Sequence, residues 1–170
     1  MKSLSYLAVV FLLLVIPGIF CKKKGSLSKL DETIYVKTDG ADMPVHLHGN
    51  VVSGVFVVVL HGGPGSNGLG YRFGKYATEL EKRYVMAYWD QRGQGMSAGN
   101  YNKKELTIQK MTEDLYGIVL VLKERYGQDI DVFILGHSWG GTLGTAFMIN
   151  DDFQKEVAGW IESDGAHDMP

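Results

Sequence analysis

The sequence DVFILGHSWGG occupies residues 131–141 and decides the fold. Residues 132–135 are all apolar, as in a strand that is covered on both faces in a parallel sheet. Residues 136–140 then read G-H-S-W-G, the G-x-S-x-G pattern of a sharp strand-to-helix turn. Gly136 and Gly140 are needed because a β-carbon at either position would collide with neighbouring chain. The pattern predicts that Ser138 is held above the carboxyl end of a sheet.

Residues on either side of Ser138 support the same interpretation. A helix is predicted from Trp139 to about Asn150, and its dipole would point a partial positive charge at a group reacting with Ser138. The backbone N–H of Trp139 could donate a hydrogen bond to a developing oxyanion. His137 is adjacent to the serine, but a neighbour in this turn points elsewhere, so it is not favoured as a base.

Two more glycine-rich loops each follow an apolar run that predicts a buried strand. HGGPG at residues 61–65 follows the run 55–60, and DQRGQGMS at residues 90–97 follows the run 84–89. Glycines in the first loop let its backbone come close to a substrate oxygen, and Pro64 stiffens the turn. Arg92 and Asp90 in the second loop are predicted to form a structural ion pair.

The order and spacing of these three motifs resemble the α/β-hydrolase superfamily. The combination of HGGPG, DQRG-x-G-x-S and G-x-S-W-G resembles the proline iminopeptidase-like branch, over roughly residues 31–168. The resemblance implies a mostly parallel sheet with helices on both faces, and no cofactor. It implies acyl transfer by Ser138 as nucleophile, with the backbone N–H groups of Gly63 and Trp139 as the oxyanion hole. The expected substrate is a small molecule or peptide with an ester or amide bond, and a proline iminopeptidase-like aminopeptidase is the best single interpretation.

The rest of the chain alternates strands with helices, as an α/β domain requires. The longest predicted helix, 106–126, has one apolar stripe, with Thr107 as its cap and Gly127 as its stop. The other predicted elements are a hairpin of strands 33–37 and 43–52 turning at Asp39-Gly40, a helix at about 73–83, and a fourth buried strand at 157–161.

The family order along the chain is serine, acid, histidine, and the sequence ends at Pro170. We therefore expect residues 31–170 to be the N-terminal portion of a longer hydrolase, without the last strands, the cap, the triad acid and the histidine. Asp164 and His167 are the weak candidates for acid and base, and the alternative is that Asp164 and Gly165 simply form a turn. Without a positioned base, such a serine would lose rate by about 10⁶-fold. The non-enzyme alternative is an inactive hydrolase-like remnant or binding module.

The N-terminal segment is interpreted as a targeting segment. Lys2 and an apolar run from Leu4 to Phe20 predict an export signal or a membrane anchor at residues 1–20, followed by a polar tether at 21–30. Cys21, at the end of the run, resembles the lipidated cysteine of a bacterial lipoprotein signal, although Phe20 precedes it where such signals have a small residue. Lipoprotein, uncleaved anchor and simple secretion all stay open, and each predicts a protein exported by a bacterium. The first two make it membrane-associated.

The composition of the chain excludes several other classes of protein. The chain has 170 residues, 45% of them hydrophobic, and its 17 basic and 19 acidic side chains give a net charge of −2, so no basic surplus suggests nucleic-acid binding. A single cysteine excludes a disulfide framework within the chain.

Residues 63–68 also read G-x-G-x-x-G, which leaves a dinucleotide-binding oxidoreductase as a remote alternative. His46 and His48 share a strand face, and we expect a solvent-facing pair rather than a metal site.

Overall fold

The computed structural model describes residues 29–167, so the predicted signal or anchor, Cys21 and most of the tether lie outside the described residues. The strands are β1 (Lys29–Thr38), β2 (Ala41–Asn50), β3 (Val55–Leu60), β4 (Val85–Trp89), β5 (Ala98–Gly99), β6 (Asp131–Ser138) and β7 (Gly159–Gly165). The helices are α1 (Gly74–Glu81), α2 (Ile108–Tyr126) and α3 (Trp139–Met148). Strand β1 begins at Lys29, so the last two residues of the predicted 21–30 tether belong to the sheet.

All strands belong to one mixed sheet with the order β1-β2-β4-β3-β6-β7, and β5 pairs with β2. The pairs β3–β4, β3–β6 and β6–β7 are parallel, whereas β1, β2 and β5 join in antiparallel register. The predicted hairpin is confirmed: Asp39 and Gly40 both have positive φ, as a two-residue turn between antiparallel strands requires. Because the four central strands β4, β3, β6 and β7 run parallel, their carboxyl ends meet at one edge of the sheet.

Helices cover both faces of the sheet, as predicted. The main apolar core lies under α2 and α3, and the predicted stripe on α2 is buried in it: Met111, Leu115, Ile118, Val119 and Leu122. Helix α2 begins where the Thr107 side chain accepts the Lys110 N–H, and it ends at Gly127. A smaller core on the opposite face contains Val57, Val59, Met86 and Tyr88. Helix α1 lies on that face, where its Glu81 accepts the Tyr88 hydroxyl at 3.1 Å.

Strand β7 differs from its predicted range of 157–161. It begins at Gly159 and continues to Gly165, because β6 is itself longer than predicted and offers pairing partners as far as Ser138. Of the helices between residues 29 and 167, none has the length and apolar content needed to cross a bilayer.

Candidate active site

Ser138 lies at the junction of β6 and α3 with φ 53° and ψ −119°. Positive φ is unfavourable for a residue with a β-carbon, so the turn holds the serine in a strained conformation. The first N–H groups of a helix have no acceptor within the helix, so the Trp139 amide at the start of α3 is free of an intrahelical partner. The structure therefore has the sharp strand-to-helix turn that the sequence predicts at Ser138.

The glycines around Ser138 allow the turn to pack against the sheet. A β-carbon built on Gly140 would lie 2.0 Å from the Leu60 carbonyl oxygen, and one on Gly136 would lie 2.3 Å from the Gly140 oxygen. Both neighbours are backbone atoms of packed elements and cannot rotate away. The predicted need for glycine at these two positions is confirmed.

Replacing Gly140 with alanine is expected to lower the free energy of unfolding by about 1–3 kcal/mol, the usual cost of overpacking a core. Gly117→Ala is the matched control: Gly117 is also a helical glycine, but a β-carbon there meets nothing within 4 Å. That control should stabilise the protein by about 0.4–1 kcal/mol. Urea unfolding of both variants measures the difference, and equal effects would show that α3 does not lie against β3 as closely as described.

The loop at residues 61–65 lies directly beside Ser138. A β-carbon built on Gly62 would be 3.1 Å from the Ser138 Cβ. The Gly62 N–H already donates to the Tyr71 hydroxyl at 2.9 Å. The following residue, Gly63, has φ 124°, a conformation that favours glycine. The structure thus places the loop that contains Gly63 beside Ser138, and Trp139 follows Ser138 directly in the chain.

Two glutamines in the turn after β4 hold this loop and the start of α3 together. The Gln91 side-chain amide donates to the His61 carbonyl at 3.0 Å and accepts the Trp139 indole N–H at 2.9 Å. Gln94 accepts the Gly65 N–H at 2.6 Å. Gln91 is fully buried and Gln94 nearly so, so these bonds are shielded from competing water.

His61 has a structural role in the same network. Burial lowers the pKa of its imidazole, which favours the neutral ring. Its Nε2 accepts the Gln91 backbone N–H at 3.4 Å, so the proton is on Nδ1, which donates to the Gly62 carbonyl at 2.9 Å. Both ring nitrogens are occupied by loop backbone, which leaves neither for proton transfer.

Asp90 and Arg92 do not form the predicted ion pair. The Asp90 carboxylate accepts the N–H groups of Gly68 and Met96, both at 2.7 Å. Arg92 instead donates to Asp114 on α2 at 2.6 and 2.7 Å, and to the carbonyls of Thr38 and Asp39 at 3.1 Å. The prediction paired two neighbours in the sequence, whereas the buried guanidinium reaches across to a helix and to the β1–β2 hairpin.

The G-x-G-x-x-G sequence at residues 63–68 does not form a dinucleotide-binding loop. The N–H of Gly65 is bound to Gln94 and that of Gly68 to Asp90, so these amides are not free for a pyrophosphate. A β-carbon on Gly68 would lie 2.7 Å from the Tyr88 backbone, which shows that this glycine is packed against β4. Helix α1 begins only at Gly74. The oxidoreductase alternative is therefore wrong, since that fingerprint needs free amides opening directly into a helix.

Asp164 lies on β7 beside the end of β6, whereas His167 follows β7, and the two side chains do not pair with each other. Ser138 is opposite Gly165 and His137 is opposite Ser163, so Asp164, with φ 55°, is the extra residue of a bulge. The His167 Nε2 lies 2.7 Å from the Glu162 carboxylate instead. Among residues 29–167, no side chain is hydrogen-bonded to the Ser138 hydroxyl.

His46 and His48 are buried rather than solvent-facing, with 5% and 8% of their surfaces exposed. His46 Nδ1 lies 2.9 Å from the Thr33 hydroxyl and His48 Nδ1 lies 3.0 Å from the Asp31 carboxylate. Burial lowers the pKa of both rings. In the part of the chain that the structure describes, no cluster of three or more histidine, cysteine, aspartate or glutamate side chains could hold a metal ion.

Comparison with known proteins agrees with the geometry of this site. Residues 54–169 match the family model of the serine aminopeptidases, S33. The chain belongs to the serine aminopeptidase family S33. This S33 chain is 33% identical over 101 residues to the probable aminopeptidase YbaC of Bacillus subtilis (strain 168), a match that covers 57% of the chain and 30% of the relative. It is 32% identical over 115 residues to a proline iminopeptidase of Thermoplasma volcanium, covering 67% of the chain and 36% of that relative.

Solved structures confirm the α/β-hydrolase fold of this S33 chain. A proline iminopeptidase-related protein from Thermus thermophilus superposes with a TM-score of 0.62 at 26% identity, covering 78% of this chain and 44% of the other. A thioesterase domain from the curacin biosynthetic pathway has a TM-score of 0.63 at 20% identity, covering 80% and 47%. The S33 chain therefore spans about a third of the length of these curated relatives and less than half of these structures.

Proposed function

We propose that this S33 chain carries the nucleophile and the oxyanion hole of a serine hydrolase that cleaves ester or amide bonds. The observation that supports the proposal best is the strained backbone of Ser138, with its Cβ 3.1 Å from the β-carbon position of Gly62. Strain of this kind persists only where surrounding structure enforces it, and it clusters at active sites. Here Gly136, Gly140 and the loop at 61–65 enforce it.

In the proposed reaction the Ser138 Oγ attacks the carbonyl carbon of the substrate, forming a C–O bond while the carbonyl π-electrons move onto oxygen and the hydroxyl proton passes to solvent water. The N–H groups of Gly63 and Trp139 stabilise that oxyanion, and the start of α3 adds its partial positive charge. Collapse of the intermediate breaks the bond to the leaving group, which takes up a proton from solvent and departs as the alcohol or amine. Water then hydrolyses the acyl-enzyme and regenerates the Ser138 hydroxyl. No acid or base is assigned among the described residues, because His167 faces Glu162.

We further propose that the substrate class is a peptide or aminoacyl amide from which the N-terminal residue is released. The S33 family and its matches to a probable aminopeptidase and to proline iminopeptidases support this class, with N-terminal proline as the first choice. Export through residues 1–20 and membrane attachment at Cys21 are proposals from the sequence alone. An inactive binding module with the same fold is the competing proposal.

A p-nitrophenyl ester tests the proposed chemistry without needing a general acid, because p-nitrophenolate is a good leaving group. Because no base is assigned, acylation of Ser138 is expected to be slow, by up to about 10⁶-fold relative to a complete triad. Mixing the full chain with excess p-nitrophenyl acetate is expected to give a slow burst that approaches about one equivalent of p-nitrophenolate per chain, as the acyl-enzyme accumulates. Prolyl and alanyl p-nitroanilides, assayed in parallel, test the aminopeptidase preference. A folded chain that gives no burst would contradict the proposal and favour the binding module.

A further inference from the structure

Tyr71 joins the two segments of the proposed site through one hydroxyl group. The Gly62 N–H donates to the Tyr71 Oη at 2.9 Å, and the Oη lies 2.7 Å from the His137 Nδ1. Since the hydroxyl oxygen accepts from Gly62, its own proton is free to donate to Nδ1. The same hydroxyl oxygen has a second lone pair, so the contact with Nδ1 is a hydrogen bond in either ring tautomer. The residue before Ser138 and the residue before Gly63 are thus held by the same phenol.

Tyr71, Gly62 and His137 pack closely together. A β-carbon on Gly62 would lie 3.0 Å from the Tyr71 Oη and 3.3 Å from the His137 Nδ1, so little space remains between the loop backbone and these two side chains. The phenol itself is anchored at its backbone, because the Tyr71 N–H donates to the Gly68 carbonyl at 3.0 Å. Gly68 is in turn bound to Asp90 at 2.7 Å. Tyr71 therefore links the sheet edge at Asp90 to the loop and the turn.

We propose that Tyr71 is a positioning residue for the oxyanion hole, an inference that rests on the proposed hydrolase function. Its hydroxyl fixes the Gly62 peptide, and this sets the position of the next amide, Gly63, relative to Ser138. A misplacement of about 1 Å in an active site can lower rate by about 10²-fold. Removing the hydroxyl should slow acylation of Ser138 by about 10- to 100-fold, which is less than the loss of about 10²- to 10³-fold when a whole oxyanion donor is removed.

Tyr71→Phe tests the inference because it keeps the ring and removes only the hydroxyl. In the wild-type chain, long-range ¹H–¹⁵N spectra are expected to show a hydrogen-bonded His137 Nδ1. In the variant the Nδ1 signal should lose its hydrogen-bond shift, and exchange of the Gly62 amide proton should accelerate. Tyr76→Phe is the matched control, since Tyr76 is 85% exposed on α1 and should change neither signal.

The acylation rate with p-nitrophenyl acetate is measured on the same three proteins. Loss of the Nδ1 signal together with a 10- to 100-fold slower burst in Tyr71→Phe supports the inference. A changed spectrum with an unchanged burst rate overturns the positioning role and leaves the hydrolase proposal intact. A wild-type His137 Nδ1 without a hydrogen-bond shift overturns it from the spectrum alone, whether or not the variant folds. If the wild-type chain gives no burst, the hydrolase proposal fails and the inference fails with it.

Discussion

Replacing Ser138 with alanine is expected to abolish the p-nitrophenolate burst and leave the fold intact. Alanine has no hydroxyl that could be acylated, so no acyl-enzyme can form in the variant. Alanine has a β-carbon as serine does, so the strain at φ 53° is the same in both and the stability of the turn should hardly change. Stopped-flow absorbance measures the burst, and urea unfolding checks the fold.

Ser163→Ala is the matched control for this prediction. Ser163 lies on β7, opposite His137, and its side chain is exposed. Removing its hydroxyl should leave the burst amplitude at about one equivalent per chain. A burst that survives in Ser138→Ala would place the nucleophile elsewhere.

Asp114→Asn is expected to lower the free energy of unfolding by about 3–5 kcal/mol, because it leaves a buried charge without its partner. Asp114 and Arg92 are both almost completely buried, and the carboxylate receives two hydrogen bonds from the guanidinium. These bonds raise the pKa of Arg92, so the guanidinium stays charged and cannot relieve the loss by deprotonation. The same arginine binds the Thr38 and Asp39 carbonyls, so the β1–β2 hairpin should loosen as well.

The control for the ion pair is Asp152→Asn, the same chemical change at an exposed site. Asp152 pairs with Lys155 at 3.1 Å, but 85% of its side chain is exposed. Surface pairs of this kind contribute about 0.2–1 kcal/mol where their contribution is measurable. Urea unfolding of both variants gives the comparison. A loss below about 1 kcal/mol in Asp114→Asn would mean that Arg92 finds other partners or reaches water.

Local patterns in the sequence were sufficient to predict most of the fold. The apolar runs predict β3, β4 and β6, and the stripe from Met111 to Leu122 predicts α2, because each pattern reflects which face is buried. The turn at Ser138 was predictable for a similar reason. A β-carbon added to either flanking glycine, Gly136 or Gly140, would lie 2.0–2.3 Å from a backbone oxygen, so no other residue fits at these positions.

The side-chain network of the site could not be predicted in the same way. Tyr71 and His137 are 66 positions apart, and no local pattern joins them. The partner of Arg92 did have a signal in the sequence, since Asp114 falls inside the apolar stripe of α2 and a buried carboxylate needs a cation. Proximity in the sequence favoured Asp90 instead, which the structure uses to bind two backbone amides.

Covalent labelling shows whether the Ser138 hydroxyl is an activated nucleophile. A fluorophosphonate reacts with an activated serine, and mass spectrometry of the digested protein locates the adduct. We expect one adduct per chain, on the peptide containing Ser138, and none in Ser138→Ala. A correctly folded chain that stays unlabelled, or one labelled equally at other serines, would show that the strained turn holds an ordinary hydroxyl and not a nucleophile.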